Sequence, residues 1–303
     1  MKSIKEGISS LFKGSPAAAA QASASSKISQ ASASSKISNI QFATSPCTTC
    51  QDPCEVHENM PMTMMKRIDT SNLYNTFKPY RYHFLVQQGS PKSWPEHVEK
   101  EESSIAKAFS DRLEAMGAKD KESRSLLTLY QDDQCDDSPL NVIVFPSAKV
   151  YQNVSLADVE QLIQIVTSES DDTLQDLKLK EKLVEKKAFV LICSHGKRDK
   201  KCGVAGPLLV EEFKKVLSIQ GLEDQVPVVS VSHIGGHKFA GNIILYQKDE
   251  RDLWIGDWYG RIRTCHVESI VQECIKDGKV FQDLWRGRFN GDPADPHLDN
   301  LNW

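Results

Sequence analysis

Apolar positions along the chain alternate between short β-branched runs and longer stretches with helical spacing. The first run, RYHFLVQQG, predicts a strand closed by Gly89, Ser90 and Pro91. Val98, Ile105, Phe109, Leu113 and Met116 then recur at helical spacing over 97–116, stopped at Gly117. Ser125 to Tyr130 and Asn141 to Phe145 predict buried strands. Ser155 caps the next helix, with Asp158 in the capping-box position and Val159, Leu162, Ile163 and Val166 facing inward. A polar helix at 171–187 leads to a second series, which opens with the strand 188–192. Pro207 starts a helix with the stripe Leu209, Phe213, Val216 and Leu217, and Gly221 follows its end. VPVVSVS is the next strand, and GNIILYQ and DLWIGDW pair about the charged turn KDER. A helix over 266–276 buries Val267, Ile270, Val271 and Cys274.

This order predicts an α/β fold: a thioredoxin-like layer arrangement over 187–286, preceded by a related α/β scaffold half over 80–186. Trp254 and Trp258, alternating with Asp257, read as core. Residues 1–79 read as a disordered, Ala/Ser-rich tail with a Cys cluster, in which QASASSKIS occurs twice in tandem, at 21–29 and 30–38. Residues 287–303, rich in Gly, Asp, Pro and Asn, read as a polar C-terminal tail.

Composition narrows the function classes. Among 303 residues, 40% are apolar and 26% charged, as in a soluble globular protein, and a net charge of −4 gives no footprint for nucleic acid. No run of about 18 apolar residues exists to span a bilayer. Eight cysteines in a chain this long are not a small disulfide scaffold and point to a reducing compartment. Ile4, Ile8, Leu11 and Phe12 share one face of a short N-terminal helix, but no Arg precedes Arg67 and Glu6 is acidic, unlike a mitochondrial presequence. The expected location is the cytoplasm, with the mitochondrion as the alternative.

Two stretches carry the chemistry. CSHGKRDKKCG supplies Cys193 and Cys202; HIGGHKFAGN supplies His233 and His237. Each follows a predicted strand, and Gly235 and Gly236 between the histidines favour a tight loop over a helix. A Cys pair and a His pair on two strand ends make one four-ligand site. Tetrahedral zinc fits that set, and so does a [2Fe-2S] centre with two Cys on one iron and two His on the other; spacing does not choose. Cys47, Cys50, Cys54 and His57 form a second, tighter group that is either a metal site or a reduced cysteine patch. Cys274 reads as buried packing, and Cys135 and Cys265 carry no partner signal.

The two motifs together resemble the sucrase/ferredoxin-like family, in the branch of thioredoxin-like ferredoxins that includes fungal actin-patch-distribution and altered-inheritance-of-mitochondria proteins. The resemblance implies a thioredoxin-like domain holding a [2Fe-2S] cluster on Cys193, Cys202, His233 and His237, with histidines where bacterial relatives have a second Cys pair. It implies an electron carrier or redox sensor; no pair of catalytic carboxylates supports glycoside hydrolysis. Neutral imidazoles in place of thiolates would raise the potential and couple reduction to proton uptake. Lys197, Arg198, Lys200, Lys201 and Lys238 flank the site, as a docking patch for an electron donor or acceptor protein or as a solvated loop. The terminal Leu301-Asn302-Trp303 resembles the tripeptide by which cytosolic iron–sulfur assembly machinery recognises clients, with Asn302 where an acidic residue or Ser is usual. Two other readings stand beside this one: a zinc-stabilised thioredoxin-fold interaction module, and a thiol oxidoreductase using Cys193 or Cys202.

Overall fold

Ten strands form one mixed sheet in the computed structural model, which describes residues 40–44, 57–117, 124–131, 140–167 and 179–292. In chain order these strands are β2 (Tyr82–Gln87), β3 (Ser125–Tyr130), β4 (Leu140–Phe145), β5 (Lys149–Val154), β6 (Lys180–Leu183), β7 (Ala188–Cys193), β8 (Val228–Val231), β9 (Ile243–Lys248), β10 (Trp254–Tyr259) and β12 (Trp285–Phe289). Their spatial order is β12-β10-β9-β7-β8-β3-β2-β4-β5-β6. A separate two-stranded parallel pair joins β1 (Phe42–Ala43) to β11 (Val280–Phe281).

Only β2/β3 and β7/β8 run parallel within the large sheet, and each pair spans a helix, as parallel neighbours require. Those helices are α2 (Ile105–Gly117) and α4 (Lys200–Ile219). The two halves meet at one antiparallel pair, Tyr130 opposite Val231. The mixed α/β sheet is consistent with the thioredoxin-like arrangement that the element order predicts.

Alternation along the strands sorts the core. Ala188, Val190 and Ile192 of β7 pack with Leu209, Phe213 and Leu217 of α4 and with the C-terminal helical segment. Phe84, Val86, Val142 and Val144 pack under α2 and α3 (Val159–Thr167). The opposite faces of both halves share one aromatic-rich cluster, in which Phe145 stacks on Tyr246 with ring centroids 3.9 Å apart. Ser155 and Asp158 make the expected capping box at the helical turn leading into α3.

Several elements depart from the sequence pattern. The predicted polar helix at 171–187 is not what its described part forms: Lys180–Leu183 is a strand, hydrogen-bonded to β5 and exposed throughout. Partnering at the sheet edge outweighs the helix propensity of Lys, Glu and Leu there. β5 itself follows a turn through Ala148, at φ 48°, that the pattern does not mark. Pro207 does not start its helix but lies inside α4, because Asp199 caps the N-terminus eight residues earlier by accepting the Lys201 amide.

The ends differ too. Gly287 to Phe289 belong to buried β12, not to a polar tail, because their backbone pairs with β10. Within the expected disordered tail, part of 57–79 packs on the fold: Met60 and Leu73 are buried and Phe77 stacks on Trp258, while the short helix α1 (Met62–Met65), between Met60 and Leu73, buries no residue. The C-terminal helical segment is α5 (Val267–Ser269) running on as a π-helix over Ile270–Lys276, with Val267, Ile270, Val271 and Cys274 buried. The first 39 residues lie outside the described part.

Candidate metal centre

The parallel register sets Cys193 opposite Val231, so the chain leaves β7 and β8 at the same sheet end. The Ser194 amide donates to the Val231 carbonyl at 3.0 Å and holds the two exits together. Cys193 is the last residue of β7, and His233 lies two residues past the end of β8.

Cys202 reaches the same place from a helix rather than a loop. It sits in the first turn of α4, which lies close against the Cys193 exit because glycines face it. A methyl group at Gly203 would stand 2.5 Å from the Gly196 Cα, and one at Gly206 would stand 2.7 Å from the Cys193 carbonyl oxygen. The second motif turns at Gly235 and Gly236, at φ 92° and 71°, a conformation that residues with a Cβ rarely adopt. It then enters a helical turn at His237–Phe239.

The thiols of Cys193 and Cys202 and one ring nitrogen of His233 all lie within 4.8 Å of one another, a group that can hold a metal ion. His233 Nδ1 is 4.0 Å from Cys193 Sγ. The His237 ring lies beside that of His233, with centroids 5.4 Å apart. The cysteines are 2% and 0% exposed, whereas His233 is half-buried and His237 exposed, so the sulfur side faces the core and the imidazole side faces solvent.

Charge is distributed to suit a cation. The Cys202 thiol, donating to Cys193, holds Cys193 well below the usual thiol range; His233 and the Ile234 amide add to this, against burial. The same pairing, with burial, pushes Cys202 up. A bound metal would take both sulfurs as thiolates and displace their protons. This donor set fits a thiolate- and imidazole-binding metal or cluster.

The surroundings include residues with no sequence-level signal. His195 is 1% exposed, donates from Nε2 to the Pro95 carbonyl at 2.8 Å and has its pKa lowered by burial. With His233, Arg198 and Arg124 it lines an open cavity of about 740 Å³. Four of the five flanking cations are tied to neighbours: Lys197 to the Ser93 carbonyl, Arg198 to His97, Lys201 to Asp199 and Lys238 to Asp69. Arg286 and Asn242 lie beneath the histidine loop.

Elsewhere, Cys274 is buried and accepts from Tyr259 Oη at 3.6 Å, and Cys265 lies half-buried in a helical turn. Cys47, Cys50, Cys54, Cys135 and Leu301-Asn302-Trp303 lie outside the described residues; His57 is half-buried. Trp254 and Trp258 are core residues, 5% and 2% exposed.

Comparison with known proteins places this geometry. The model of the sucrase/ferredoxin-like family matches residues 73–287, spanning both halves of the sheet and both site motifs. The chain belongs to that family. Among family relatives, Actin patches distal protein 1 of Saccharomyces cerevisiae is 27% identical over 256 residues, covering 75% of this chain and 80% of its own length. Altered inheritance of mitochondria protein 32 of Meyerozyma guilliermondii is 41% identical over 103 residues, and that of Clavispora lusitaniae 44% over 102. Each of these two matches covers 34% of this chain and 35% of the relative, so the chain spans about a third of the length of those proteins. No solved structure matches. No helix among the described residues is long and apolar enough to cross a membrane.

Proposed function

We propose that this protein binds a [2Fe-2S] cluster through Cys193, Cys202, His233 and His237 and works as an electron carrier or redox sensor. The supporting observation is the convergence of two buried thiols and two solvent-side imidazoles at one sheet end, with Cys193 and His233 separated by 40 residues in sequence. The compact group does not include His237. A two-iron cluster, which places the Cys and His pairs on different metals, uses all four donors. When bound, such a cluster supplies one-electron transfer.

The chain's own residues set the terms of that transfer. The buried cysteines exclude water from the sulfur side, so the exposed His237 edge is where a partner would exchange electrons with a bound cluster. The ring nitrogen of each histidine that does not hold the cluster would be free to take up a proton when the cluster is reduced, which would make the potential fall with rising pH. The partner is an electron donor or acceptor protein meeting that edge. The free, buried thiols of Cys193 and Cys202 suit a reducing compartment, and the cytoplasm is the protein's site of action. Burial of both thiols weighs against a thiol oxidoreductase, which needs an accessible thiolate.

The compactness of Cys193, Cys202 and His233 favours a second reading, a single structural zinc ion in an interaction module. One experiment separates the two: anaerobic purification of the full chain, with metal analysis and visible and electron paramagnetic resonance spectra before and after dithionite. A coloured protein with about two irons and a reduced signal of low, Rieske-like average g supports the cluster. Stoichiometric zinc in a colourless protein overturns it.

A further inference from the structure

Arg286 enters the core from β12 and is 1% exposed. Its Nε donates to Thr76 Oγ1 at 3.1 Å and its Nη2 to the Thr76 carbonyl at 2.9 Å. Its Nη1 donates to the Gly235 carbonyl at 3.2 Å and to Asn242 Oδ1 at 2.9 Å. Every one of these acceptors is neutral. Among the described residues no carboxylate pairs with it, in contrast to Arg288 two positions on, which is bidentate to Asp257.

A guanidinium so deeply buried is costly unless a negative charge lies within reach. Burial draws its pKa down to about 10, and the opposing influence comes from Cys193 and Cys202. The histidine loop is shaped around it: a methyl group at Gly236 would collide with Nη2. Asn242 ties it to both ligand-bearing segments, donating from Nδ2 to the Gly236 carbonyl and accepting the Cys193 amide at its own backbone carbonyl.

We propose that Arg286 is the buried counter-charge of the metal centre, stabilising its reduced form and so raising its reduction potential. The inference rests on the cluster reading above. Adding one electron from an external donor makes the site more negative by one unit, and a fixed cation held by neutral acceptors favours that state in a low-dielectric surrounding. Its hydrogen bonds to Gly235 and Asn242 on the ligand-bearing loop fix its place, and it acts on the centre through its charge.

The test is a mediated redox titration with dithionite, followed in the visible spectrum, on the full chain and three variants, with iron content measured in parallel. Arg286→Gln removes the charge and is expected to lower the midpoint potential at unchanged iron content. Arg286→Lys keeps the charge and is expected to restore most of the shift. Thr76→Asp leaves the arginine in place but sets a carboxylate against Nε; it is expected to lower the potential too, and it decides the matter if Arg286→Gln does not assemble. Unmoved potentials in iron-loaded variants overturn the role of Arg286 and leave the cluster reading intact. Loss of iron from Thr76→Asp also overturns it, because pairing the charge should spare assembly. A wild-type protein without iron overturns the cluster reading itself, and the role of Arg286 with it.

Discussion

Gly203 lies so close to Gly196 that a methyl group on it would stand 2.5 Å from the Gly196 Cα. The contact is backbone against backbone, so no side chain can swing aside to relieve it. Together with Gly206 it lets the first turn of α4 carry Cys202 to within reach of Cys193. Gly203→Ala should therefore do two things at once. Overpacking should destabilise the fold by about 1–3 kcal/mol, read as a lower urea midpoint, and metal content should fall because the thiols separate. Gly221→Ala, at a site where a methyl meets nothing within 4 Å, is the control for steric crowding. It should cost only the strain of its φ of 63° and leave metal content unchanged. Equal metal content in wild type and Gly203→Ala would show that the close approach does not place the thiols.

Asp257 and Arg288 form a bidentate pair at 2.8 Å, with side chains 0% and 6% exposed, and Trp285 Nε1 donates to the same carboxylate at 2.9 Å. Removing one partner of a buried pair leaves the other charged and unpaired. Asp257→Asn should destabilise by about 3–5 kcal/mol, whereas the double change Asp257→Leu with Arg288→Met should cost less than the single one. Urea unfolding of both variants checks the order; a double variant less stable than Asp257→Asn would show that the pair itself, not the stranded charge, sustains the sheet edge.

These two cases mark what was legible in the sequence. The candidate site was legible in part because ligand chemistry is local: Cys193, Cys202, His233 and His237 stand out by residue type, and the structure brings Cys193, Cys202 and His233 together with the His237 ring beside them. Most core strands were legible from their β-branched runs. The supporting parts were not. Lys180–Leu183 forms a strand only because β5 offers it an edge, and no alternation of its own says so. Asp199 overrode Pro207 as the helix start, a competition between two valid start signals. Arg286 reads as an ordinary polar residue near the chain end; its burial depends on Thr76, Gly235 and Asn242 converging from distant segments.

His83 gives the fold a specific acid sensitivity. It is fully buried between Thr128 Oγ1 at 2.8 Å and Tyr246 Oη at 2.9 Å, and burial lowers its pKa from 6.5 to about 3. The unfolded chain therefore binds this proton more readily than the folded one. Stability from keeping His83 neutral is fully present above pH 6.5 and is lost as pH falls from there toward 3. Each pH step of one between those two values weakens the fold by roughly 1.4 kcal/mol, so the whole loss is on the order of several kcal/mol. His83→Gln keeps polar partners for both neighbours and cannot ionise. Its stability deficit relative to wild type should shrink between pH 7 and pH 5; a deficit that stays constant across that range would show that His83 does not carry the acid response.

The ligand assignment has its own signature, apart from metal content. Cys193→Ser removes a buried donor that cannot be replaced from solvent, so it should abolish metal binding whichever metal is native. His237→Cys separates the readings. His237 stands outside the compact group formed by Cys193, Cys202 and His233, with its ring 5.4 Å from that of His233. If it binds the second iron of a cluster, a thiolate there adds negative charge to that iron. The protein should then stay coloured, its midpoint potential should fall, and the dependence of that potential on pH should weaken because one titrating imidazole is gone. If the site holds a single zinc ion, the variant should remain colourless and bind zinc with three or four donors. A coloured variant whose potential and pH dependence both match the wild type would remove His237 from the ligand set and leave the fourth position to another group.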